Sequence, residues 1–129
     1  MVLTIAGFDP SSGAGVTADL KVFAAHGLYG VSAITALTVQ STQGVRRMEP
    51  VSSALLEETL ACLADDVEIA GVKIGMLATA GNVAAVSRFL AGIEVPRAKR
   101  NNENLIRKPR RLLLGCWLGV DWPRKKKSF

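Results

Sequence analysis

The stretch Ile5-Ala6-Gly7-Phe8-Asp9-Pro10-Ser11-Ser12-Gly13-Ala14-Gly15-Val16-Thr17-Ala18-Asp19-Leu20-Lys21 joins a short apolar strand to a helix through a glycine-rich, proline-turned loop. Gly7, Gly13 and Gly15 place backbone without a Cβ at the turn, so main-chain N–H groups can approach a bound group closely or adopt positive φ. Asp9-Pro10 starts a turn, Asp by bonding the backbone ahead of it and Pro by fixing φ. The spacing matches neither the dinucleotide fingerprint nor the P-loop in full, so it leaves two equal readings: a ligand loop, or glycines that serve only turning and packing.

Outward from this loop the chain alternates strand and helix. Val2 to Ala6 is a continuous apolar run, the pattern of a strand buried on both faces of a parallel sheet. Val16, Leu20, Phe23 and Gly27 fall at helical spacing and predict a helix over 15–26 with Gly27 as its stop. Tyr29 to Val39 reads as a second strand. Ser52 or Ser53 can cap a second helix, with Leu56, Leu60 and Leu63 on one face and Glu57 and Glu58 in the favourable first turn. Ile69 to Ile74 reads as a third strand. Ala80 to Leu90 reads as a third helix burying Val83, Val86 and Leu90, and 93–95 as the start of a fourth strand cut by Pro96. This alternation predicts an α/β fold with a parallel sheet, flanking helices and right-handed crossovers, and it places ligands at the carboxyl ends of the strands.

Three segments fall at those ends: the loop after Gly7; Ile34-Thr35-Ala36-Leu37-Thr38-Val39-Gln40-Ser41-Thr42-Gln43-Gly44-Val45; and Val72-Lys73-Ile74-Gly75-Met76-Leu77. Gln40 offers one acceptor and two donors, enough to pair a ring nitrogen and an exocyclic amine together. The helix dipole favours a carboxylate at Asp19 whatever its function. His26 and Cys62 read as structural, a helix-end residue and a small buried hydrophobe. Lys73, beside the site, has two equal readings, a phosphate contact or a strand-end charge reaching solvent, and it is left outside the site.

In wording and order the three segments resemble the hydroxymethylpyrimidine and phosphomethylpyrimidine kinases of thiamine biosynthesis, within the ribokinase-like superfamily. The resemblance covers residues 2–96. It implies a ribokinase-like sheet and ATP-dependent phosphorylation of hydroxymethylpyrimidine or its monophosphate, with ATP and Mg as cofactors. It also implies a pyrimidine site built from Gly7, Asp19, Val39, Gln40 and Met76: Gln40 on the polar ring edge, Asp19 on the substrate's polar groups, Val39 and Met76 against the ring, Gly7 through its backbone. Members carry an Asp-Pro-Val segment and a Gly-Thr-Gly-Cys anion-hole motif whose cysteine acts as base. Neither occurs in these 129 residues, and Cys116, in Leu114-Gly115-Cys116-Trp117, is not assigned that role. The resemblance therefore implies a truncated, inactive kinase domain.

Composition changes sharply at the end of the resemblance. Residues 1–96 carry 5 Lys and Arg against 9 Asp and Glu, whereas 97–129 carry 11 against 2, so the net +5 belongs to the tail. The tail reads best as sequence in a shifted frame. A nucleic-acid-binding arm using its cations with Trp117 or Trp122, and a solvated disordered end, are the alternatives. Two cysteines make no disulfide framework, and Asp9 arrives too early for a signal peptide or membrane helix, so a cytoplasmic protein is expected. A sheet ended at its third or fourth strand offers an open edge, so association between copies is expected.

Overall fold

The computed structural model describes residues 1–93; the expected fourth strand and the basic tail lie outside them. In chain order the elements are β1 (Val2–Phe8), α1 (Gly15–Ala25), β2 (Gly30–Ser41), β3 (Gly44–Pro50), α2 (Ser53–Asp66), β4 (Gly71–Ile74) and α3 (Ala80–Gly92). They form one sheet in the order β3-β2-β1-β4. β1 pairs in parallel with both β2 and β4, so the α/β reading with flanking helices holds.

The fully parallel sheet expected from the sequence does not hold. β3 is antiparallel to β2, joined through the short turn at Thr42-Gln43, and Gly44 there takes φ 144. This hairpin carries no inside-outside alternation, because every residue of β3 is exposed. A strand without a buried face leaves no period-2 signal.

Alternation along β1 and β4 sorts the two faces. Leu3 and Ile5, with Ala33 and Ile74, pack on Leu56 and Leu60 of α2 and on Ala85 and Val86 of α3. The other face takes α1, whose Leu20 and Phe23 sit over Gly30; a Cβ there would come within 2.7 Å of both rings and branches. The connection leaving β1 moves one way across the sheet on one face, and the connection reaching β4 returns the other way on the opposite face. A single crossover handedness requires that combination. The helices that follow β1 and β4, α1 and α3, lie on opposite faces of the sheet, and the carboxyl ends of two such neighbouring strands are where a sheet of this kind receives a ligand.

The helix ends expected at Ser52 and Gly27 hold, and Thr79 adds a cap the sequence reading did not name. Ser52 caps α2 by accepting from Leu55 N at 3.3 Å, and Thr79 caps α3 by accepting from Asn82 N at 3.1 Å. Gly27, at φ 68, ends α1 in a Schellman arrangement, with Leu28 N donating to Phe23 O and Gly27 N to Ala24 O. The terminal carbonyls are thus taken by main-chain N–H groups, and His26 is the cap residue.

Four side-chain expectations fail. Glu57 and Glu58 lie in the second turn of α2, where Glu57 instead pairs with Arg88 of α3. Val83 is exposed and Leu90 only half-buried, because α3 turns Asn82, Ala85 and Val86 inward. Cys62 is exposed, off the Leu56–Leu60 stripe. Asp19 lies one turn beyond the helix start, and its partners are side chains of the sheet.

Candidate pyrimidine site at the strand ends

The loop at residues 9–14 closes on its own carboxylate. Asp9 is buried; its Oδ1 accepts from Ser11 N at 2.8 Å and Ser11 Oγ at 2.7 Å, and its Oδ2 from Gly13 N at 3.1 Å and Ala14 N at 2.9 Å. The N–H of Gly13, one of those expected to meet a ligand, is therefore consumed inside the loop, together with those of Ser11 and Ala14. Burial pushes the Asp9 carboxyl up, but the bonds from Ser11, Gly13 and Ala14 outweigh it and hold the group below its ordinary value of 3.8. A depressed carboxylate stabilises the fold above its unfolded value and loses that stabilisation as pH falls through the folded one. Asp9→Asn is accordingly expected to lose about 1–3 kcal/mol near neutral pH, with the gap to wild type narrowing under acid. Urea denaturation at both ends of that range measures it, and a pH-independent gap would contradict the assignment.

Gly7 is the buried penultimate residue of β1, and Met76 lies directly over it: a Cβ on Gly7 would sit 2.7 Å from Met76 Cε. The backbone of Met76 is fixed by Thr35, whose Oγ1 donates to its carbonyl at 2.6 Å. Its side chain remains 44% exposed, an apolar surface at the strand ends that nothing in the described fold covers.

Gln40 is half-buried near the end of β2, still inside the strand rather than closing it. Thr38 Oγ1 stands 2.8 Å from Phe8 O and 3.1 Å from Gln40 Oε1. A hydroxyl has one proton. When Thr38 gives it to Phe8, the Gln40 amide meets Thr38 through its NH2 group and leaves its carbonyl oxygen for another donor.

Asp19, on the inner side of α1, accepts from Thr4 Oγ1 at 2.6 Å and Lys73 Nζ at 2.7 Å, both on Oδ2. Thr4 and Lys73 are direct partners across β1 and β4. The structure thus forms three separate groups: Gly7 with Met76, Asp19 with Thr4 and Lys73, and Gln40 with the end of β1 through Thr38. Val39 joins none of them. It stands 56% exposed on the opposite side of β2 from Thr38 and Gln40, across from Arg47.

Sequence reasoning passed over Thr4, Thr38 and Asn82, and it left Lys73 outside the site, where the structure pairs it with Asp19. Thr4 is a fully buried hydroxyl in an otherwise apolar strand, which is itself a signal that a polar partner waits nearby. Asn82 is also fully buried; its Nδ2 lies 3.0 Å from Leu77 O and 3.3 Å from both Thr35 O and Val51 O, tying the segment after β4 to β2 and to the start of α2. Among the described residues no group of three or more His, Cys, Asp or Glu is placed to hold a metal, and no helix is long and apolar enough to cross a membrane.

The profile of the family described as phosphomethylpyrimidine kinase matches residues 9–98. The hydroxymethylpyrimidine/phosphomethylpyrimidine kinase of Haemophilus influenzae is 47% identical over 90 residues, which are 70% of this chain and 34% of that protein. Phosphomethylpyrimidine kinase from Clostridium difficile 630 superimposes with a TM-score of 0.67 at 40% identity, over 70% of this chain and 39% of that one. Pyridoxal kinase from Staphylococcus aureus, solved with AMP-PCP and pyridoxal, gives 0.62 at 34% identity, over 70% and 34%. The chain spans about a third of the length of the curated relatives it matches. With the family profile matching most of the chain and the three strand-end segments lying within or beside that match, the chain belongs to the phosphomethylpyrimidine kinase family.

Proposed function

We propose that these residues form the pyrimidine-binding part of a kinase of thiamine biosynthesis, one that phosphorylates hydroxymethylpyrimidine or its monophosphate with ATP. What supports the reading is the placement of Gln40 and Met76 at the carboxyl ends of β2 and β4, the two strands flanking β1, with Asp19 tied to Thr4 and Lys73 of the same sheet. Gln40 supplies a carbonyl oxygen for the exocyclic amine and Asp19 an acceptor for a second donor. Met76, seated on Gly7, supplies the apolar wall for the ring. Val39 reaches such a ligand only at the rim, since it faces away from Gln40.

Residues 1–93 do not fit a nucleotide and its Mg. The N–H groups of Ser11, Gly13 and Ala14 are already bound to Asp9, and no carboxylate cluster stands nearby. What this part does is bind and orient the pyrimidine; proton removal and phosphate stabilisation require groups elsewhere. Purified alone, the 129-residue chain is therefore proposed to bind substrate without turning it over. Association between copies is proposed on the exposed apolar residues Leu37, Val39, Val45 and Met48 of the β2–β3 hairpin, and sedimentation reads it directly.

Calorimetric titration with hydroxymethylpyrimidine tests the reading. Gln40→Leu is expected to weaken binding by about 1–3 kcal/mol, because the ring edge loses its paired bonds. Unchanged affinity would remove Gln40 from the site. Salt-sensitive affinity for mixed DNA that exceeds the affinity for the pyrimidine would instead favour a nucleic-acid role for the basic tail.

A further inference from the structure

The triad of Thr4, Asp19 and Lys73 is unevenly built. Both protein donors converge on Asp19 Oδ2, and no donor among the described residues reaches Oδ1, which is not sealed from solvent. The Asp19 side chain is only 15% exposed, whereas that of Lys73 is 40% exposed. Thr4 and Lys73 face each other across two parallel strands, so the sheet fixes both donors before α1 packs on them. Lys73 also leans toward the strand ends: a Cβ on Gly75, the last residue before Met76, would lie 3.5 Å from Lys73 Nζ and 2.8 Å from the Cβ of Ala6. Glycine at 75 lets this backbone pack closely against Ala6, beside the Lys73 ammonium, where a side chain would not fit.

A structural tie between α1 and the sheet does not need this chemistry. Apolar side chains of similar size hold a helix to a sheet at least as well as a partly buried ion pair. What the polar triad adds is an anion with one oxygen immobilised and the other left outward. We propose that Lys73 is a positioning residue for ligand recognition: with Thr4 it holds Asp19 by Oδ2 so that Oδ1 is preset to accept a hydrogen bond from an amine or hydroxyl of the pyrimidine. The proposal rests on the pyrimidine-binding reading above. Lys73 acts through Asp19 and does not touch the ring.

Hydroxymethylpyrimidine and its monophosphate are titrated into the full chain and into Lys73→Met, Lys73→Arg, Asp19→Asn and Lys73→Met/Asp19→Asn, with thermal melts run alongside. Lys73→Gln takes the place of Lys73→Met if the methionine variant does not fold. Asp19→Asn is expected to weaken binding of both ligands about 10- to 100-fold, and Lys73→Met about 10-fold. Lys73→Arg is expected to recover most of the loss, since it restores a cation at Oδ2. The double variant is expected to bind no worse than Asp19→Asn, because Lys73 has nothing left to position; a purely structural role would move the melts without this coupling. Three results overturn the proposal while leaving the site standing: affinity untouched by Lys73→Met, losses that multiply in the double variant, or a loss confined to the monophosphate. The last would mean that Lys73 meets the phosphate itself. A wild-type chain that does not bind, or an Asp19→Asn variant that binds normally, overturns the site reading and this inference with it.

Discussion

Gly15→Ala is expected to destabilise the fold by about 2–4 kcal/mol and to abolish pyrimidine binding, although it adds one methyl group. Gly15 begins α1 at φ 60, and a Cβ there would overlap the carbonyl oxygen of Gly7 while standing 3.1 Å from its carbon and 3.4 Å from Asp9 N. These are backbone atoms of β1 and of the loop, so no rotamer change relieves the clash. The loop must move away from the strand, and Gly7 and the donors around Asp9 move with it. Gly27 is the internal control: its φ is 68, but nothing lies within 4 Å of its missing Cβ. Gly27→Ala therefore carries the conformational cost alone, about 1–2 kcal/mol. Urea denaturation of both variants separates close approach from backbone conformation. Equal losses would show that the contact between Gly15 and Gly7 is unimportant.

Asn82→Asp is the second large effect, at about 3 kcal/mol or more near neutral pH. The native amide donates toward the carbonyls of Leu77, Thr35 and Val51 from a fully buried position. A carboxylate there would face three acceptors with no proton to offer any of them. Its folded pKa would rise, so the deficit is present above that value and shrinks as pH falls toward the unfolded one. Asn82→Ala, which removes the donor without adding charge, is expected to cost about 2–4 kcal/mol with little pH dependence. Both variants free Leu77, next to Met76, so binding should weaken even where the chain remains folded. An Asn82→Asp variant whose stability tracks wild type at every pH would contradict the cross-tie.

The parallel strands and their helices were legible because burial wrote them: Val2 to Ala6 runs apolar, Val16, Leu20 and Phe23 recur at helical spacing, and Ser52 and Gly27 mark ends with residues chosen by backbone geometry. β3 was illegible for the converse reason, since a fully exposed hairpin strand selects no alternation. Met76 over Gly7 was within reach of sequence, both residues lying at strand ends. The Asp9 knot was half legible: its turn chemistry was plain, but the donors that looked available for a ligand proved to be Asp9's own. Thr4, Lys73 and Asn82 depended on pairings 15, 54 and 47 residues apart, between Thr4 and Asp19, Lys73 and Asp19, and Asn82 and Thr35. Local pattern does not encode such distances. Val83 and Cys62 were misplaced by a single helical step, enough to carry a side chain from core to solvent.

The most direct test of the account is a residue-resolved map of binding: amide and methionine-methyl NMR spectra of the 129-residue chain, recorded as hydroxymethylpyrimidine is added. The account expects saturable shifts at the Met76 methyl and at the amides of Gly7, Gln40 and Gly75, with the exposed β3 residues Val45 to Glu49 unmoved. Saturable shifts confined to the hairpin or the basic tail, or no shifts at millimolar ligand in a folded chain, would contradict it.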